Sequence, residues 1–132
     1  MEIRNWKLGR EKNMLLVYEL DVYRLAEKLS NMIWYDFDKW NNKAQKTIGY
    51  QIIRSADSIS ANIAEGYGRY TSLDRKRFYL YSRGSLEETK SWLRKLAKRK
   101  ILSDSRITEY KKIIDELGPK LNAFINSTKG KA

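Results

Sequence analysis

The chain has 132 residues, a net charge of +11, no cysteine and no histidine. That length is about one domain, and 42% hydrophobic residues is enough to build a core, which argues against wholesale disorder. The missing cysteines exclude disulfides and thiol chemistry, and the missing histidines remove the commonest general base and the commonest metal ligand.

Four amphipathic segments follow one another, with no period-two strand pattern. The first runs over about 13–34, with Val17, Tyr18, Val22, Leu25, Leu29, Met32 and Ile33 at helical spacing and Asn13 placed to cap it. The stretch YDFDKWNNK then reads as a linker. The second segment, about 46–65, carries Ile48, Ile52, Ala56, Ile59 and Ile63 on one face. The third, about 72–100, has Phe78, Leu86, Leu93, Leu96 and Ala97 as its apolar stripe, with Ser82, Ser85 and Thr89 among them. The fourth, about 104–126, repeats Ile107, Tyr110, Ile114, Leu117, Leu121 and Phe124. Pro119 lies inside that pattern and predicts a bend or local break near Asp115–Gly118, because proline lacks the N–H and crowds the preceding turn. The final STKGKA reads as a loose tail. Four such helices with short connections bury their stripes as an all-α, antiparallel up-and-down four-helix bundle, a single domain over 1–132.

The stretch SADSISANIAEGYGR is rich in small residues and ends in two glycines. Ile52, Ile59 and Ile63 hold helical register through it, so it is helix rather than loop, and Gly66 or Gly68 reads as a left-handed C-cap. A phosphate-binding loop fails: Thr71 stands where GxGxxG needs its third glycine, no strand precedes, and no GK[ST] is present. Arg54, Ser58, Ala61 and Glu65 fall opposite the isoleucines, on a face that long charged side chains usually fill. With Asn62 and with Glu88 of the third segment they form the candidate oligomer interface; the bland alternative is a solvated face.

The residues QIIRSADSISANIAEGYGR, followed by GSLEETKSWL, resemble the bacterial four-helix-bundle family of proteins encoded within intervening sequences of large-subunit ribosomal RNA genes. The match rests on Gln51, Ile52, Arg54, Ala56, Ser58, Ile59, Asn62, Ile63, Ala64, Glu65, Gly66, Gly68 and Arg69, then Gly84, Ser85, Leu86 and Glu88. Ser55 replaces a usual alanine, and Ser60 stands where many members have proline. The resemblance covers roughly 13–126 and extends to the accessory protein of diversity-generating retroelements. It implies an antiparallel bundle, a ring-shaped homo-oligomer, a pentamer in several members, and, through the retroelement relatives, nucleic-acid binding beside a reverse transcriptase.

Charge is unevenly placed. Residues 66–100 hold 11 basic and 3 acidic side chains, a net +8, which points to a polyanionic partner: nucleic acid, an acidic protein or an anionic membrane surface. Lys76, Arg83 and Lys90 are seven apart and Arg94 follows four later, so they stack along one helical edge spanning about 27 Å, with Lys98 close to the same line. Arg77, Lys95 and Arg99 widen the basic surface toward the next face. Such a stripe neutralises phosphates and makes binding salt-dependent, and a ring would repeat it. Glu87 and Glu88 are too few to balance it. Tyr67, Tyr70, Tyr79 and Tyr81 either stack on exposed bases or pack at an interface or core edge, and Trp92 reads as packed.

No zinc finger or RRM signature is present. Catalysis would have to use Asp, Glu, Lys, Ser and Tyr alone, and no DxD or ExxH metal motif accompanies the scattered carboxylates. The expectation is therefore a non-catalytic, cofactor-free and metal-free basic scaffold that binds nucleic acid and itself. A protein-interaction module for an acidic partner is the alternative. No run approaches the ~18 apolar residues of a membrane span, and MEIRNWKLGREKN lacks a signal peptide's apolar core, so the expected location is cytoplasmic, with no membrane partner.

Overall fold

A computed structural model of the chain describes residues 15–128. Four long helices form among them: α1 Asp21–Phe37, α3 Tyr50–Tyr67, α4 Ser72–Lys98 and α5 Asp104–Ser127, with a short α2, Asn42–Ala44, between the first two. No strand occurs among the described residues. In chain order α1 packs on α3, α3 on α4, α4 on α5, and α5 closes back on α1. Each long helix thus lies beside its sequence neighbour, the up-and-down bundle that short connections favour.

The core follows the apolar stripes. Leu29 and Ile33 of α1, Ile52, Ile59 and Ile63 of α3, Leu96 of α4, and Leu117 and Leu121 of α5 are fully buried. Each contributes about 1.5–3 kcal/mol by leaving water. Tyr79, rather than Phe78, supplies the first inward aromatic of α4 at 2% exposure, packed 4.7 Å from the Phe124 ring.

Several boundaries differ from the periodicity. The first helix starts later than 13, because Leu16 and Leu20 are extended and bracket a separate 3-10 turn at Val17–Glu19; Asn13 lies outside the described residues. It also ends later, inside the expected linker. The rest of that linker is structured: Trp40 and Ala44 are buried, and the Asn41 side chain accepts the Ala44 N–H at 2.9 Å. A π-turn at Gln45–Gly49 then leads into α3. Gly49 has no room for a side chain there, since a Cβ would lie 2.7 Å from the Phe37 ring.

Pro119 does not break α5, which runs uninterrupted from Asp104 to Ser127. Pro119 and Asp115 are both exposed, on the outer side of the helix, while Leu117 and Leu121 hold the inner face in the core. The left-handed cap expected at Gly66 or Gly68 is also absent. Gly68 caps α3 at φ −82°, and Gly66 serves a different end. A Cβ on Gly66 would sit 2.7 Å from the Tyr79 ring and 2.9 Å from the Arg75 carbonyl oxygen, so this glycine lets α3 and α4 meet. The left-handed residue is Lys100, at φ 58°, after α4. It donates its N–H to Ala97 while Ile101 donates to Leu96, each at 3.0 Å, the paired bonds of a Schellman cap.

Candidate nucleic-acid interface

The rotation of α4 about its axis fixes where its cations point. Thr71 caps the helix by accepting the Asp74 N–H at 3.1 Å, and the Asp74 carboxylate complements the positive end of the helix dipole. Tyr79, Ser82, Leu86, Thr89, Leu93 and Leu96 face inward. Two of these are polar and serve the α3 contact: Ser82 Oγ donates to the Ile59 carbonyl at 2.8 Å, and Thr89 Oγ1 lies 2.9 Å from Ser55 Oγ. Small side chains on both helices let the two backbones approach, as Gly66 does near the corner.

With that face inward, Lys76, Arg83, Lys90, Arg94 and Lys98 are all exposed. Arg83 reaches Asn122 of α5 at 3.5 Å, so this edge borders α5. Lys90 is 3.1 Å from Glu87. Lys76, Arg94 and Lys98 make no ion pair with another described residue.

The eight basic positions are spread over two edges of α4. Arg77, Lys95 and Arg99 lie roughly 100° or more further round the helix. Arg77 pairs with Asp74 at 2.8 Å and stacks 5.2 Å over Phe78, and Lys95 lies 5.9 Å over Trp92. Arg99 instead lines a hollow with Asn41, Lys43 and Thr47. The bank opposite the first row carries Lys111 of α5, which is 2.7 Å from Asp115. Sequence spacing could not find Lys111, because only the α4–α5 packing brings it near Lys90 and Arg94.

The tyrosines divide. Tyr79 is buried, and its burial pushes the phenol up to about 12. Tyr67 donates its hydroxyl to the Leu15 carbonyl. Tyr70, at 96% exposure, and Tyr81, at 51%, face solvent near the start of α4, beside the exposed Leu73 and Leu80. Trp92 donates its indole N–H to Glu88 at 3.1 Å.

The candidate interface residues of α3 are placed as follows. Arg54 and Ala61 are exposed. Ser58 Oγ donates to the Arg54 carbonyl and Asn62 Nδ2 to the Ser58 carbonyl, so both polar groups turn back on their own helix. Glu65 pairs with Arg69 at 3.2 Å, and Arg69 lies 4.5 Å over the Phe78 ring. The NIAEGYGR stretch is thus occupied in building the α3–α4 corner.

Among the described residues no cluster of three or more carboxylates could hold a metal ion, and no helix is long and apolar enough to cross a membrane.

A four-helix bundle with an exposed row of cations on its longest helix defines the class of this protein. The chain belongs to the 23S rRNA-intervening sequence protein family, whose profile matches residues 18–123. In fold it is similar to a protein of unknown function from the S23 ribosomal protein family of Bacteroides thetaiotaomicron. That likeness has a TM-score of 0.73 at 22% identity, over 80% of this chain and 96% of the other. No curated protein matches the sequence.

Proposed function

We propose that this protein is a non-catalytic basic scaffold that binds the backbone of RNA or DNA along α4. The observation that carries the reading is the row Lys76, Arg83, Lys90 and Arg94, exposed on one edge of an uninterrupted helix. Phosphates repeat at a few ångströms along a strand, and a rod of fixed cations about 27 Å long neutralises several at once. The family's association with 23S rRNA intervening sequences favours RNA as the polyanion.

The reading includes a ring-shaped homo-oligomer, a pentamer, built through the outer face of α3 with Arg54, Ser58, Ala61, Asn62, Glu65 and Glu88. Exposed Leu73 and Leu80 on α4 are apolar surface that the single chain leaves uncovered. In a ring the cationic rows add through avidity. The scaffold acts as an accessory to an RNA-processing enzyme or a reverse transcriptase, as in the diversity-generating retroelements.

The test replaces Lys76, Arg83, Lys90 and Arg94 together by Gln. The expected outcome is an unchanged helical spectrum and a large loss of affinity for structured RNA at low salt. Parent protein that ignores RNA and DNA in dilute buffer, or a variant that binds as the parent does, overturns the reading. Native mass with and without RNA gives the oligomer and its stoichiometry.

A further inference from the structure

Between the second half of α4 and the first half of α5 lies an open trough of about 370 Å³. Leu93, Ala97, Leu102, Ile107 and Ile114 form its floor and walls. The aromatic ring among the lining residues, Tyr110, is 2% exposed, and its hydroxyl donates away from the trough to Asp36 at 2.7 Å. A nucleobase would find neither a ring face to stack on nor a hydrogen-bonding group on this floor. Aliphatic side chains require neither.

The rim has the opposite character. Lys90 and Arg94 stand on the α4 bank, Lys111 and Asp115 on the α5 bank. Asp115 is taken up by Lys111 at 2.7 Å, whereas Arg94 makes no ion pair with a described residue. Lys90 is likewise held by Glu87 at 3.1 Å, so Arg94 is the unpaired cation of the rim and gives it its positive excess beside the apolar trough. From Lys90 to Ala97 it is roughly 10 Å long, two helical turns, the reach of side chains at i, i+4 and i+7 of a third helix.

We propose that this trough receives an acidic amphipathic helix of a partner protein, its aliphatic face on Ile107, Ile114 and Leu93 and a flanking carboxylate on Arg94, with Lys90 and Lys111 exchanging Glu87 and Asp115 for its other carboxylates. This goes beyond nucleic-acid binding and does not rest on it. Lys90 and Arg94 belong both to the trough rim and to the row on α4, so an acidic helix seated here displaces nucleic acid from the end of that row.

The experiment titrates the full chain, without nucleic acid, with a fluorescent synthetic helix bearing Leu at i, i+4 and i+7 and Glu at most other positions. Saturable binding is expected, weakened about tenfold or more when the leucines become Ala at constant charge. Arg94→Glu should weaken it several-fold, by about tenfold at low salt, and Ile114→Glu should abolish it. Equal binding of the alanine peptide, no effect of Arg94→Glu, or saturable binding of decanoate but not of the peptide each overturns the proposal. So does Ile114-dependent binding of a single-stranded oligonucleotide in place of the peptide. Should Ile114→Glu fail to fold, the exposed Arg94 variant and the alanine peptide decide. Because the peptide titrations contain no nucleic acid, they stand or fall separately from the RNA test.

Discussion

Arg106 holds Asp36 with two hydrogen bonds, Nε to Oδ2 at 2.7 Å and Nη2 to Oδ1 at 3.1 Å, across 70 residues of sequence. Tyr110 donates its hydroxyl to the same Oδ2 at 2.7 Å, so a carboxylate only 3% exposed is satisfied by two partners from α5. This is the polar clamp between α1 and α5. Removing one side of it strands the other. Asp36→Ala should cost about 3 kcal/mol, because the buried Tyr110 hydroxyl loses its acceptor and Arg106 keeps only Glu109, at 2.7 Å. The paired replacement Asp36→Leu with Arg106→Met should cost less than either single change. Urea unfolding of Asp36→Ala and of the four proteins in the Leu/Met cycle checks both statements.

Alkali should unfold the bundle through its buried phenols. Burial pushes Tyr79 up to about 12 from an ordinary 10.0. Burial first, then the hydrogen bond to Asp36, raises Tyr110 further still. A raised phenol favours the folded state while it stays protonated. That stability is complete below the unfolded value of 10.0 and is lost as pH rises through the folded values. Denaturation midpoints should fall from pH about 10 upward, and Tyr79→Phe should flatten the first part of the fall.

The two helix-end substitutions should act in opposite directions. Gly66→Ala drives a methyl group into the Tyr79 ring and the Arg75 carbonyl, and should destabilise by about 2 kcal/mol. Lys100→Gly relieves a left-handed lysine in the Schellman cap and should stabilise by about 1 kcal/mol. Thermal unfolding of both variants is sufficient to separate them from the parent.

The division of the cations into two rows has its own signature. Neutralising Lys76, Arg83, Lys90 and Arg94 should flatten the dependence of RNA affinity on salt by about three to four charges in log–log slope. Neutralising Arg77, Lys95 and Arg99 should change that slope less, because they stand about 100° or more round the helix from the row that meets the strand. Equal losses from the two sets would place the polyanion across both faces.

The bundle was legible where side chains repeat every third or fourth residue. The isoleucines of α3 and the leucines of α5 announced their faces, and helix ends came within a few residues wherever a Thr71 or Ser103 cap stood. Tertiary contacts decided the remainder. Nothing local marks Asp36 as buried, since its partners sit on α5, and the linker around Trp40 has no period to read. The break expected at Pro119 does not occur, because packing of Leu117 and Leu121 overrides a single propensity. The basic row followed from spacing alone. So did the offset of Arg77, Lys95 and Arg99 toward the next face, whereas Lys111 joins the row only through the packing of α5 on α4.

The wide turn at Gln45–Gly49 accommodates one residue more than an α-helical turn would. Excising a single position within it should therefore convert the loop of backbone to ordinary helix while Trp40 on one flank and Ile52 on the other keep their orientation. The bundle carries a built-in slack at this point, where a chain can shorten by one residue without putting its two ends out of phase.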